Sequence, residues 1–230
     1  MRTKREIPNE LCERIAVIWQ RLEAHYGAPV LQPNEDPVGE LISTILSQHT
    51  TDVSSWKAYT ALKHRYPTWS ALREAPLADV ADTIRFAGLP MQKARTIQTA
   101  LQDIDAEPLQ DLATLPVAAA CARLTTIKGV GDKTASCVLL FALGMPAQPV
   151  DTHIERVCKR LGINNRESTA SGIQHVLEHC LPADGQTMYA FHIDMVRHGR
   201  EICQARAPRC EMCMLTDLCV YYATVVKKDD

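Results

Sequence analysis

No stretch of this chain stays apolar over the roughly eighteen residues that a membrane-spanning helix needs, and no apolar core of a secretory leader is present. The basic opening Met1-Arg2-Thr3-Lys4-Arg5 runs straight into Glu6, Pro8 and Asn9. A cytoplasmic location is therefore expected, with nucleoid association if the source is bacterial. Positive charge is not in excess either: 25 Lys and Arg stand against 27 Asp and Glu, a net charge of -2. That excludes a protein that coats nucleic acid by bulk charge, so any grip on phosphate must come from locally placed cations. Alternation of apolar and polar residues with period two is missing over any useful length, which argues against sheet. There is no internal repeat and no low-complexity tract.

What is present is helical pattern. The 230 residues, 46% hydrophobic and 23% charged, suit a soluble globular protein of one domain or two. Leu11, Ile15, Ile18 and Leu22 form a helical stripe over residues 9–26, ended by Gly27 and Pro29. Asp36-Pro37 reads as a cap with proline in the first turn, followed by Val38, Leu41, Ile42 and Ile45. Asp52 is expected to cap a third helix that stops before Pro67. Further helices are expected at about Ser70–Ala75, Leu77–Phe86, around Ala94–Ile104, Pro116–Leu124, Asp132–Leu143, Thr152–Leu161, Gly172–Cys180 and Gln186–Gly199. The expected class is all-α.

Nine cysteines are the strongest chemical signal, and four of them fall within seventeen residues. Cys203, Cys210, Cys213 and Cys219 are spaced C-x6-C-x2-C-x5-C. Cytosolic thiols stay reduced, so such a run ligates metal more readily than it forms disulfides. Four-cysteine zinc sites tend to be two C-x2-C knuckles at a distance. One C-x2-C pair with two unequal arms suits a [4Fe–4S] cube instead; zinc and a disulfide framework are the alternatives. Cys12, Cys121, Cys137, Cys158 and Cys180 are scattered among apolar neighbours and read as buried, reduced thiols.

Upstream, Ile127-Lys128-Gly129-Val130-Gly131-Asp132-Lys133-Thr134-Ala135 reads as helix, tight turn, helix. Glycines on both sides of Val130 let the backbone bend and let a ligand approach, and the N–H groups of the following helix suit phosphate. A phosphate-binding loop of nucleotide-hydrolase type is excluded, since Asp132 precedes Lys133-Thr134 and no strand leads in. Eighteen residues beyond Lys133 stands Asp151, in Pro149-Val150-Asp151-Thr152-His153.

The hairpin closing on Lys-Thr-Ala, the Val-Asp-Thr-His segment and the four cysteines resemble, in order and in spacing, the endonuclease III family of DNA-repair glycosylases. The likeness runs from about residue 40 to residue 219. It implies a two-lobed helix-hairpin-helix glycosylase fold with a [4Fe–4S] cluster loop at 203–219, one lobe continuous over 30–145 and the other built from 1–29 and 146–230, with the lesion site in the cleft between. It implies Lys133 and Asp151 as catalytic residues and double-stranded DNA with damaged bases or abasic sites as partner. It also implies insertion loops that fill the hole left by an extruded base. One is Leu46-Ser47-Gln48-His49-Thr50-Thr51-Asp52, with Gln48 and His49 as expected DNA contacts; His49, and not Gln48, stands where the family has an inserted glutamine. The other is Ala87-Gly88-Leu89-Pro90-Met91-Gln92-Lys93, with Leu89 as apolar wedge and Lys93 on phosphate. Lys128, Gly129, Val130 and Gly131 of the hairpin, together with Arg200, Arg206 and Arg209 around the cysteines and Arg197 just before them, are the remaining expected DNA contacts.

The residue types suit the chemistry. A lysine amine that attacks C1′ displaces the base and forms a Schiff base, from which β-elimination cuts the strand. A carboxylate stabilises the positive charge that builds on the sugar. The amine must be neutral to attack. A helix N-terminus disfavours the ammonium, whereas Asp132 beside it favours the charged form, so lyase activity weaker or more pH-dependent than is usual in the family is expected, with weaker DNA affinity. The leading expectation is a bifunctional glycosylase/lyase for oxidised pyrimidines. Two rivals are a one-step mismatch glycosylase like the adenine-specific branch and a paralogue that binds DNA with little catalysis. The former is disfavoured by Lys133, which that branch lacks, and by the short tail of eleven residues after Cys219, where that branch has a further domain. Nothing points to an oligomer, and a monomer is expected.

Overall fold

The protein is described here by a computed structural model covering residues 7–106, 109, 111–163 and 169–228; the basic opening Met1–Arg5 lies outside the described residues. Every regular element among the described residues is a helix. The chain divides into two compact units, one of residues 33–145 and one of residues 1–32 with 146–230.

In the unit of residues 33–145, α2 (Pro37–Ser47) is started by Asp36, whose side chain accepts the N–H of Gly39 at 2.8 Å. Its buried face, with Leu41, Ile42, Ile45 and Leu46, packs against α3 (Asp52–Arg65), α6 (Pro90–Ala106) and α8 (Asp132–Cys137). The cap of α3 is Thr51 rather than the expected Asp52: its side chain accepts the N–H of Ser54 at 3.3 Å. Asp52 falls in the first turn instead, where a negative charge favours the helix dipole. After α4 (Trp69–Glu74), α5 (Leu77–Thr83) is shorter than expected. A 3₁₀ turn at Arg85–Ala87 follows it, and Gly88, at φ 67°, redirects the chain. α7 (Val117–Thr125) leads into the hairpin. The helix expected over Asp132–Leu143 is α-helical only to Cys137 and continues as a wider π-helical stretch, Val138–Ala142. Two carbonyls at its end are taken up from elsewhere, Phe141 O by the N–H of Asn34 at 3.1 Å and Ala142 O by that of Glu35 at 3.0 Å.

The other unit is built from α1 (Asn9–Tyr26), α9 (Thr152–Leu161), α10 (Ala170–Cys180), α11 (Gly185–Glu201) and α12 (Val220–Thr224). α11 packs against α1 and α9, and α10 against α1, around Ile15, Ile18, Leu22, Phe191 and Met195. Two of the cysteines expected to be reduced are not: Cys12 and Cys180, 168 residues apart, form a disulfide between α1 and α10. Cys121 is half-buried rather than buried, while Cys137 and Cys158 are buried free thiols as expected.

Candidate active site and metal centre

The turn between α7 and α8 follows from its glycines. Gly129 has φ 90°, and a Cβ there would lie 2.8 Å from Thr96 Cγ2, so both conformation and space require glycine. Val130 is buried and its N–H donates to Ile127 O at 3.0 Å, which anchors the turn. Lys128 is exposed, and its main-chain N–H donates to Asp103 Oδ2 at 3.2 Å. Gly131 is the N-cap of α8 and carries no side chain to occupy the first-turn N–H groups; a Cβ on it would meet nothing within 4 Å. Lys133, half-buried, stands in that first turn. The half-buried carboxylate of Glu40 on α2 lies near enough to feel its charge. Burial raises Glu40 above the ordinary glutamate range, opposed by hydrogen bonds from Asn34 and Thr44 and by Lys133.

Both candidate insertion loops lie in the same unit. His49 and Leu89 have left-handed backbones, φ 52° and 47°, and both are exposed, Leu89 to 55%. Gln48 ends α2 and is half-buried. The expectation that Lys93 meets phosphate is overturned. Its side chain is 4% exposed, and Nζ donates to Leu46 O at 2.7 Å and Ala87 O at 2.6 Å. Burial also lowers its pKa from the ordinary lysine value. A cation sealed beneath two carbonyls does not reach the surface.

Asp151 belongs to the other unit and is the N-cap of α9. Its Oδ1 accepts the N–H groups of His153 at 2.9 Å and Ile154 at 2.8 Å.

Downstream, Cys203, Cys210, Cys213 and Cys219 are free thiols that line one pocket with Arg160, Ile202 and Tyr221. Among the described residues no three His, Cys, Asp or Glu side chains converge tightly enough to hold a single metal ion. Three of the sulfurs accept hydrogen bonds: Cys203 from Arg160 at 3.3 Å, Cys213 from the N–H of Leu215 at 3.4 Å, and Cys219 from the N–H of Tyr222 at 3.4 Å. Such donors suit sulfurs that carry negative charge. Burial pushes Cys213 up to about 11 and raises Cys210 and Cys219. Thiols of this kind ionise when a cation takes the proton's place. Arg206 and Arg209 are exposed between the cysteines, and Arg200 is exposed at the end of α11. Arg197 is drawn away to Tyr26, donating to its carbonyl at 3.1 Å.

The sequence profile of the HhH-GPD superfamily of base excision DNA repair proteins matches residues 42–183, a span that holds both loops, the hairpin, Lys133 and Asp151. This chain is an HhH-GPD protein. The HhH-GPD chain is 34% identical to endonuclease III of Sulfolobus acidocaldarius over 198 residues, 81% of this chain and 83% of that one. It is 33% identical to endonuclease III of Escherichia coli K12 over 213 residues, 89% and 93% of the two chains. A solved structure of a trapped covalent intermediate of endonuclease III and DNA superposes with a TM-score of 0.80 at 29% identity, covering 95% of this chain and 99% of that one.

Sequence reasoning about this HhH-GPD protein passed over three side chains. Glu40 is one. The others are Arg156 and Arg160, one turn apart on α9. Arg156 donates to Cys203 O at 3.0 Å and to Gly199 O at 2.7 Å. Arg160 donates to the carbonyls of Cys203, Gln204 and Ala205 as well as to Cys203 Sγ. Their i,i+4 spacing was the only available signal, and it does not distinguish a solvated face from a stitched one.

Proposed function

We propose that this protein is a base excision repair DNA glycosylase with AP lyase activity, acting on oxidised pyrimidines in duplex DNA. The observation that carries the reading is Lys133 in the first turn of α8, directly after the Gly129-Val130-Gly131 turn, in a chain of the HhH-GPD superfamily. The hairpin binds phosphate through main-chain N–H groups, which hold DNA without reading its sequence. The neutral amine of Lys133 attacks C1′, the C1′–N bond breaks, and the base leaves with the bonding pair and takes up a proton. The sugar ring opens to a protonated imine on Lys133, and loss of a 2′ proton expels the 3′ phosphate. Asp151 faces the cationic sugar as a carboxylate while the C1′–N bond breaks, then takes up the proton that the attacking amine loses and returns it to the ring oxygen as the ring opens.

His49 and Leu89 fill the space of the extruded nucleotide, and Arg200, Arg206, Arg209 and Lys128 meet phosphate. Cys203, Cys210, Cys213 and Cys219 hold a [4Fe–4S] cluster. Four thiols around one pocket, in a C-x6-C-x2-C-x5-C run with a single C-x2-C pair, support a cluster over zinc. When bound, the cluster braces the loop that presents Arg206 and Arg209, and neither bond-breaking step calls for a redox change. The partner is double-stranded DNA, and the working state is a monomer.

Borohydride trapping on a duplex with an abasic site, comparing wild type with Lys133→Ala, tests the reading. A covalent adduct that disappears in the variant is expected. No adduct from cluster-loaded, DNA-binding wild type would sink the lyase and leave a one-step glycosylase or a damage-binding protein.

A further inference from the structure

Lys93 has no part in the chemistry above, yet it is one of the most deeply buried charged side chains among the described residues, at 4% exposure. Burying an ammonium is tolerated only when it is hydrogen-bonded. Here both acceptors with hydrogen-bond geometry are main-chain carbonyls, Leu46 O at 2.7 Å and Ala87 O at 2.6 Å. Leu46 lies three residues before His49, and Ala87 two residues before Leu89. One cation thus joins the root of one exposed loop to the root of the other.

The tips need such a hold. His49 and Leu89 have φ of 52° and 47°, a left-handed region that is strained for a residue with a side chain and persists only where the surroundings enforce it. The loops also run close together: a Cβ added at Gly88 would lie 3.8 Å from His49 O. The main-chain N–H of Lys93 itself donates to Leu89 O at 3.0 Å, so one residue holds the second loop from two directions.

We propose that Lys93 is a positioning residue that locks the His49 and Leu89 loops into a single two-pronged wedge, on which opening of the duplex, and not bond cleavage, depends. The inference rests on the glycosylase/lyase reading above. A prong pressed into a base stack is useful only if the stack yields before the prong does. Without the shared ammonium each loop can relax away from its left-handed conformation, and binding energy goes into reordering it.

The test compares wild type with Lys93→Met, which fills the same volume and offers no donor to the two carbonyls. On a duplex with an oxidised pyrimidine, kcat/KM is expected to fall about 100-fold, the scale of loss when a positioning contact is released. On an abasic site inside an unpaired bubble, where no opening is needed, borohydride trapping should stay within about twofold of wild type. A 2-aminopurine next to the lesion should brighten on binding wild type and stay quenched with the variant. In a His49→Ala, Leu89→Ala background, Lys93→Met should change nothing further. Lys93→Gln, which keeps two N–H donors on a shorter stem, is the second variant should the first not fold, with an intermediate loss expected on the duplex alone. Equal losses on duplex and bubble, or no loss on the duplex, would overturn the wedge. If wild type traps neither an abasic duplex nor the bubble, the lyase reading falls instead; in either case the fluorescence comparison still decides the wedge.

Discussion

The N–H of Ile154 donates to Oδ1 of Asp151 at 2.8 Å, so the carboxylate assigned to the sugar also starts α9. The two duties separate by substitution. Asn caps a helix about as well as Asp but carries no charge. Asp151→Asn should melt close to wild type while base excision falls at least about 100-fold. Asp151→Ala should lose the same activity and, in addition, about 1 kcal/mol of stability. Single-turnover excision and thermal melting of both variants check this; an active Asn variant would remove Asp151 from the chemistry.

Arg160 binds the cysteine loop through the carbonyls of Cys203, Gln204 and Ala205 and through Cys203 Sγ, with its guanidinium over the Tyr221 ring at 4.7 Å. Replacement by Met removes all these donors, and outer hydrogen bonds to a metal ligand are commonly worth about 10- to 100-fold in retention. Arg160→Met is therefore expected to purify with less iron per chain and to bleach faster in air. Iron content equal to wild type, with equal persistence of the visible absorbance, would contradict the assignment.

Asp132 places a carboxylate next to Lys133 at the exposed start of α8. Exchanging it for Arg replaces a charge that repels phosphate with one that attracts it. Asp132→Arg should bind duplex more tightly, the salt dependence steepening by about one phosphate contact, and should trap abasic DNA several-fold faster when DNA is below saturation. Trapping rates and binding across a salt series decide it, and unchanged values in both would refute the argument.

Asp194, on α11, is fully buried, and neither carboxylate oxygen has a hydrogen-bond partner among the described residues. Burial pushes it up to about 7, against the opposing pull of Arg197. Because the folded state binds this proton more tightly than the unfolded chain does, its stabilising effect is complete below the ordinary aspartate range and is lost as pH rises toward that value. Asp194→Asn should raise the melting temperature most at about pH 8, with the gain shrinking toward about pH 4. Melting curves across that range would show a flat difference if the carboxylate were not the source.

Most helices were legible in the sequence because their causes are local. The Leu11, Ile15, Ile18 and Leu22 stripe and the Asp36-Pro37 start act within a turn or two of chain, and the helices they predict are present. Where two local candidates competed, at Thr51 and Asp52, only backbone geometry chose: Thr51 is extended at ψ 153°, and its side chain reaches the N–H of Ser54. The π-helical stretch after Cys137 left no mark in the periodicity, since its residues are buried on nearly every side.

By itself, then, the sequence determined the all-α class, the place of the hairpin and the close spacing of the four cysteines. Each depends on residues close enough along the chain to act on one another directly. Tertiary structure alone decided that Lys93 turns inward to Leu46, 47 residues away, that Arg160 reaches Cys203 over 43, and that Cys12 meets Cys180 over 168. A lysine on a helix has the same local pattern whether it faces solvent or a buried carbonyl. The outcome depends on which backbone oxygens the packed helices leave without a donor, and that is known only once distant segments have met.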